Sequence, residues 1–194
     1  MKTGFGARLA SLLLVLLMLS SGATAQQKTG STGASYSNPS LGFFYKPPDE
    51  MQDETESGRA EIRDRAAARG TSKTLDLLLA MSSGPDATAP DWHLLSIETY
   101  PRRAFSDLDD IGAETKMSAW VAGFSSSPGK PRSVVLAGQS FAVSVFSDED
   151  GTIKKGAVIW TTIRKGKLLS FAFVANSPEQ LRALAETMKT VQFF

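Results

Sequence analysis

Ser140 is the residue whose setting looks most like chemistry. Gly138-Gln139-Ser140-Phe141-Ala142 loosely matches a G-x-S-x-G nucleophile elbow and follows an apolar run. An elbow holds its serine on a strained strand-to-helix turn, so a helix must come next. What comes next is FAVSVFS, which reads as a strand, and the only histidine available as a base is His93. The motif therefore reads as a β-turn between two strands.

Ser127-Pro128-Gly129-Lys130 fits S-x-x-K, and Lys28-Thr29-Gly30 fits K-T-G. That chemistry needs the serine to open a helix, with the lysine one turn on. Pro128-Gly129 breaks such a helix, and the K-T-G precedes the serine instead of following it. Coincidence is the reading here.

The carboxylates Asp49, Glu50, Asp53, Glu54 and Glu56 could bind calcium only if they converged around a tight glycine turn. They have no internal glycine and fall on an expected helix, where they diverge. Asp107-x-Asp109 before Gly112 lacks a third ligand of an EF-hand loop, and Asp148-Glu149-Asp150-Gly151 reads first as a hairpin turn. His93 alternates with apolar neighbours and reads as a structural histidine. Trp92, Trp120 and Trp160 read as core. Arg102-Arg103 reads as a solvated loop. No catalytic, cofactor-binding or metal residue is assigned, and no cofactor is expected.

Composition closes further routes. The chain has 194 residues, one histidine and no cysteine. Thiol nucleophiles, thiolate zinc sites and iron–sulfur clusters need cysteine. An N-terminal lipid anchor on a mature cysteine is excluded on the same ground. At 42% hydrophobic and 21% charged the chain is ordinary globular material.

Residues 1–25 carry a basic start (Lys2, Arg8), an apolar run from Leu9 to Leu19 and a small-x-small site at Ala23-Thr24-Ala25. This is the plan of a secretory signal peptide, and the run falls short of the roughly 20 residues of a membrane span. Cleavage before Gln26 leaves 19 basic against 20 acidic residues. Near-neutrality gives no footprint for nucleic acid. The expectation is a periplasmic or secreted domain with no integral membrane span after cleavage.

The elements that must position these residues follow from pattern. Residues 26–40 are Gly/Ser/Thr-rich and read as a flexible leader. Leu41–Tyr45 reads as a first strand stopped by Pro47-Pro48. Asp49–Ala68 reads as a surface helix starting near Pro48-Asp49-Glu50. Thr74–Met81 and Trp92–Tyr100 read as paired antiparallel strands around a turn-rich loop. A helix opens at Ser106. Arg132–Ala137, Phe141–Ser147, Gly156–Arg164 and Lys167–Ala175 read as a β-meander. Its turns fall at Gly138-Gln139, Asp148–Gly151 and Lys165-Gly166. The last strand is apolar on both faces and wants cover on both sides. Ser177 as N-cap, Pro178 at N1 and Gln180 at N3 open a helix whose stripe is Leu181, Leu184, Ala185 and Met188. Val191–Phe194 reads as a terminal strand or an apolar plug.

This order resembles the PsbP-like superfamily, an α/β/α sandwich around an antiparallel sheet. The resemblance rests on Leu41-Gly42-Phe43-Phe44-Tyr45 with Pro47, on the Ala137-Gly138-Gln139 junction, and on Lys167–Val174 followed by SPEQLRALAETMKTVQFF. The fold class it implies is α+β, an antiparallel sheet covered by helices, with a single domain over 41–194. It further implies an exported, non-catalytic domain that binds a protein partner or an envelope component. The alternative is an exported hydrolase or small-ligand-binding protein with an unrecognised site. A third reading is a substrate or accessory of a surface assembly system.

N-terminal sequencing of the protein from the extracytoplasmic fraction should begin at Gln26. An intact Met1 in that fraction would refute the signal-peptide reading.

Overall fold

The computed structural model describes residues 35–68, 75–101, 130–148 and 155–194. The signal sequence, most of the leader, the helix expected from Ser106, Arg102-Arg103, Trp120, Asp107, Asp109 and Ser127 lie outside the described residues. Lys28-Thr29-Gly30 and the residues 149–151 of the expected turn lie outside them too.

Strands β3 (Gln52–Asp53), β4 (Asp76–Ser82), β5 (His93–Pro101), β6 (Arg132–Leu136), β7 (Gln139–Asp148), β8 (Lys155–Arg164) and β9 (Lys167–Ala175) form one antiparallel sheet. Their order is β3-β4-β5-β9-β8-β7-β6. Two tight turns fix its register. Lys165 and Gly166 have φ of 46° and 77°, and Ala137 and Gly138 have 48° and 75°. Paired positive φ values mark the two-residue hairpin turn whose twist matches the strands. The β6–β7 turn thus falls one residue earlier than Gly138-Gln139, because Gln139 is already paired with Leu136.

A second sheet of order β1-β2-β10 joins β1 (Tyr36–Asn38), β2 (Phe43–Tyr45) and β10 (Gln192–Phe193). Strand β1 corrects the leader reading, since Tyr36 pairs with Tyr45 and Asn38 with Phe43. The side chain of Asn38 explains the reversal. Its Oδ1 accepts from the Leu41 N–H at 3.0 Å and from Ser40 Oγ at 2.7 Å, folding the chain back on itself.

Alternation on the large sheet separates two faces. Leu95, Ile97, Phe141, Val143, Leu169, Phe171 and Phe173 point to one, and the small sheet packs there through Phe43, Tyr45 and Phe193. Phe43 and Tyr45 both meet Phe171 edge-on, at 5.6 and 5.8 Å between ring centroids. Helix α2 (Pro178–Glu186) shares this layer, with Leu184 and the following Met188 buried in the same cluster. The other face carries Leu94, Phe146, Ala157, Ile159, Ala172 and Val174 under Trp92. Helix α1 (Thr55–Ala68) lies against it at the β4 edge. A Cβ on Gly58 would sit 2.8 Å from Leu77 Cδ2, so this glycine sets the close approach. Helices thus flank the sheet on both sides.

Helix α1 begins later than Pro48-Asp49-Glu50 would suggest. Met51 is drawn into the core and Gln52–Asp53 pair with β4, so the helix starts only at Thr55, whose N–H donates to Asp53 Oδ1 at 2.8 Å. Helix α2 starts as its sequence indicates. Gln180 N–H donates to Ser177 Oγ at 3.2 Å, and Ser177 Oγ donates to Gln180 Oε1 at 3.1 Å. The free amide end, Gln180 Nε2, donates to Asp91 O at 3.0 Å and ties the helix to the β4–β5 loop.

Leu184→Ala should lower unfolding free energy by roughly 2–5 kcal/mol, the range for a buried leucine. Ser177→Ala should lower it by about 1 kcal/mol through the lost cap. Urea denaturation measures both. A Leu184→Ala protein as stable as wild type would mean that this stripe is not core.

Candidate functional site

Ser140 and His93 do not meet. Ser140 lies inside β7, opposite Val135, and its carbonyl accepts from Thr162 Oγ1 at 2.7 Å. His93 begins β5 at the other end of the sheet, in the row His93–Ala175–Gly156–Ser147. Ser147 and Ser140 are seven residues apart on β7, which at about 3.3 Å per residue is roughly 23 Å. His93 Nδ1 lies 3.0 Å from Asp91 O. A carbonyl only accepts, so this contact puts the ring proton on Nδ1.

The acidic run is spent locally. Asp53 caps Thr55, Glu54 Oε2 accepts from Ser57 Oγ at 2.9 Å, and Glu56 pairs with Arg59 at 2.6 Å. Among the described residues no three His, Cys, Asp or Glu side chains converge on one point. Asp86 is equally local: the Thr88 hydroxyl and backbone N–H hold its carboxyl below the usual carboxylate range. Trp92 is core, and its Nε1 donates to Gly84 O at 3.1 Å. Trp160 is half-buried against Phe141, and its Nε1 is a buried donor with no acceptor among the described residues.

The constellation that sequence reasoning missed lies on the second face. Glu98 is 1% exposed in the middle of β5. Ser96 Oγ donates to its Oε1 at 2.9 Å, and Tyr100 OH donates to Oε2 at 2.5 Å. Across the ladder, Ser170 faces Glu98 and Thr161 faces Ser170, their hydroxyls 3.0 Å apart. A polar row therefore crosses a buried, otherwise apolar face. Its signal was present as the alternation Ser96, Glu98, Tyr100 between the apolar Leu95 and Ile97. Chemically it is a carboxylate locked by hydroxyl donors on both oxygens, in a place that solvent does not reach. Such an arrangement fixes strand register and orientation.

On the opposite face Tyr45 OH lies 2.6 Å from Thr187 Oγ1. Thr187 already donates to Leu184 O, so the tyrosine is the donor, and burial pushes its pKa well above the ordinary value. This hydroxyl joins the small sheet to the end of α2.

Cyanobacterial PsbP from Synechocystis sp. PCC 6803 is 13% identical, with a TM-score of 0.55 over 89% of this chain and 99% of that one. The chain has a PsbP-like fold. Further likenesses are lower: a protein of Bacteroides thetaiotaomicron VPI-5482 gives a TM-score of 0.48 at 11% identity over 84% of this chain. The chain spans about half, 49%, of that protein's length. LpqN, involved in cell envelope biogenesis of Mycobacterium tuberculosis, gives 0.42 at 14% identity over 84% of this chain and 86% of its own. No family model and no curated protein sequence matches. At such identities the likeness is one of fold alone. Among the described residues no helix is long and apolar enough to cross a membrane.

Tyr100→Phe should destabilise the protein by about 0.5–1.5 kcal/mol, the range for one intramolecular hydrogen bond, without moving the secondary-structure spectrum. Thermal denaturation checks this, and an unchanged melting temperature would show that the Glu98 row carries no stability.

Proposed function

We propose that this chain is an exported, non-catalytic domain that binds a protein partner or an envelope component. The observation that carries the reading is the separation of Ser140 from His93 at opposite ends of one rigid sheet. A nucleophile and its base must come within hydrogen-bond reach. These two are fixed apart by strand register, and strands do not slide without turning every side chain to the wrong face. The N-terminal signal plan supports export. The PsbP-like fold supports the resemblance read from the sequence, which implies binding proteins without catalysis. Lys130, Glu54 and Glu56 occupy solvated or locally paired positions. The polar row at Glu98 supports the same reading, since its hydroxyl and carboxylate groups are turned inward.

The test has two arms. A fluorophosphonate probe, which acylates activated serines, should leave the folded protein unlabelled, and Ser140→Ala and Ser127→Ala should change nothing in that assay. Cross-linking in the intact envelope with a photoreactive residue scanned over the surface should trap one discrete partner from a contiguous set of positions. Probe labelling that disappears in Ser140→Ala would overturn the non-catalytic reading. Cross-links absent from every surface position would overturn the binding reading.

A further inference from the structure

The two edges of the seven-stranded sheet are treated differently by the chain. At one edge the backbone of β4 is closed off. Glu54 N–H donates to Ala80 O at 2.8 Å, and Thr55 Oγ1 accepts from Ala80 N–H at 3.0 Å. Arg59 Nε donates to Leu77 O at 2.9 Å, and its Nη2 to Leu78 O at 3.4 Å. Strand β3 is two residues long, and a bulge at Leu78 bends the β4 edge. These are the devices by which proteins blunt an edge against pairing.

Among the described residues strand β6 has none of them. Arg132-Ser133-Val134-Val135-Leu136 pairs with β7 in unbroken register and contains no proline or glycine. It is the last strand in the sheet order. The turn at Ala137-Gly138 makes Leu136 and Gln139 the first hydrogen-bonded pair, so Leu136, Val134 and Arg132 point their backbone groups at β7. The N–H and C=O groups of Ser133 and Val135 therefore point away from the sheet. Val135 is 70% exposed, the most exposed large apolar side chain among the described residues, and Ser133 is exposed beside it.

We propose that β6 is a pairing edge and that its occupant is β6 of a second copy of this chain, antiparallel about a two-fold axis through Val134. The register is self-complementary. With Val134 facing Val134 of the second copy, Ser133 of each copy faces Val135 of the other. Each such pair exchanges both of its outward N–H···O bonds. The strand's single charge, Arg132, then faces Leu136 rather than its own image. The two guanidinium-bearing positions lie four residues out of register, roughly 13 Å apart along the strand at about 3.3 Å per residue. That exceeds the Debye length of about 8 Å at physiological salt, so the pairing carries no like-charge penalty. A register one pair earlier would place Pro131, which has no N–H, opposite Val135. A contact of five residues a side is smaller than a standard interface, so the dimer is a weak, concentration-dependent one.

Sedimentation velocity from about 5 to 500 μM should show the mass-average rising from monomer toward dimer. Ser133→Pro removes an outward donor while leaving the β6–β7 bonds in place, and should keep the protein monomeric with an unchanged melting temperature. Val134→Cys should form a covalent dimer on mild oxidation, because facing residues of a non-hydrogen-bonded pair have Cα atoms about 4.5 Å apart, within disulfide range. The chain has no native cysteine to compete. Val145→Cys, exposed on β7, is the control and should stay monomeric under the same oxidation. A monomer at every concentration, with Val134→Cys cross-linking no faster than Val145→Cys, would overturn the proposal. So would a dimer that survives Ser133→Pro, since it would use another surface.

Discussion

Strand β9 is buried along both of its faces, and most of the molecule is arranged to keep it so. From Leu168 to Ala175 every residue is buried, with Leu169, Phe171 and Phe173 on one side and Leu168, Ala172 and Val174 on the other. A strand of this kind sits in the middle of a sheet, flanked by β5 and β8, and demands a layer on each face. The rings of Phe43, Tyr45 and Phe141 gather around Phe171 at centroid distances of 5.6 to 6.4 Å. Such edge-on contacts add to the stabilisation that burial of the ring area itself gives. The small sheet delivers two of those rings, Phe43 and Tyr45, and depends on that packing, because a three-residue strand is far too short to be stable alone.

One side chain gathers three backbone carbonyls of the small sheet and its flanks. Arg164, at the end of β8, donates from Nε to Leu41 O at 3.1 Å and from Nη2 to Gly42 O and Phe194 O, each at 3.1 Å. Its guanidinium also lies 5.0 Å from the Phe193 ring centroid. Segments 122 and 30 residues away in sequence thus meet on a single planar fork. Arginine suits this place because its donors are held in a rigid plane and its charge cannot be removed. Gly42 is required at the same point. Its φ is +68°, and a Cβ there would lie 2.4 Å from Phe194 O. The aromatic wedge and the cation that pins it therefore depend on a residue with no side chain.

Local signals were legible in the sequence and long-range ones were not. Lys165-Gly166 specifies its own hairpin, Ser177-Pro178 its own helix start, and the apolar runs on either side of Lys165-Gly166 their own strands. Each is decided within a few residues. Tyr36–Asn38 was set by the local turn at Asn38, which the Gly/Ser/Thr-rich composition around it obscured. Gln52–Asp53 became a strand only because β4, where Ser82 faces Gln52, had an open edge to pair with, and nothing inside that short stretch announces it. The same holds for the start of α1, where five acidic residues offered several caps and the pairing of β3 selected Asp53. The strand around Ser140 was legible too: the residues after it already read as a strand, and Ser140 lies in β7. Glu98 was passed over because a single acidic residue in a strand pattern reads as a solvent-facing position. Only the folded sheet shows that this face is closed over.

The distribution of polar groups follows from the same demand for two covered faces. A sheet closed on both sides has little surface on which to display chemistry. Hydroxyl and carboxylate groups that fall on it must satisfy one another, as Ser96, Glu98 and Tyr100 do. Helices laid over the faces spend their own polar side chains on the sheet's edge and on neighbouring loops, as Arg59 and Gln180 do. Burial of an unpartnered polar group costs about 1–3 kcal/mol, so such pairing is the condition for keeping these residues inside at all. Among the described residues, the exposed groups at the rim include the outer side of β6, the turn residues Lys165 and Gly166, and Phe194, which is 68% exposed beside them. The interior of a fold built this way serves to hold its borders rigid.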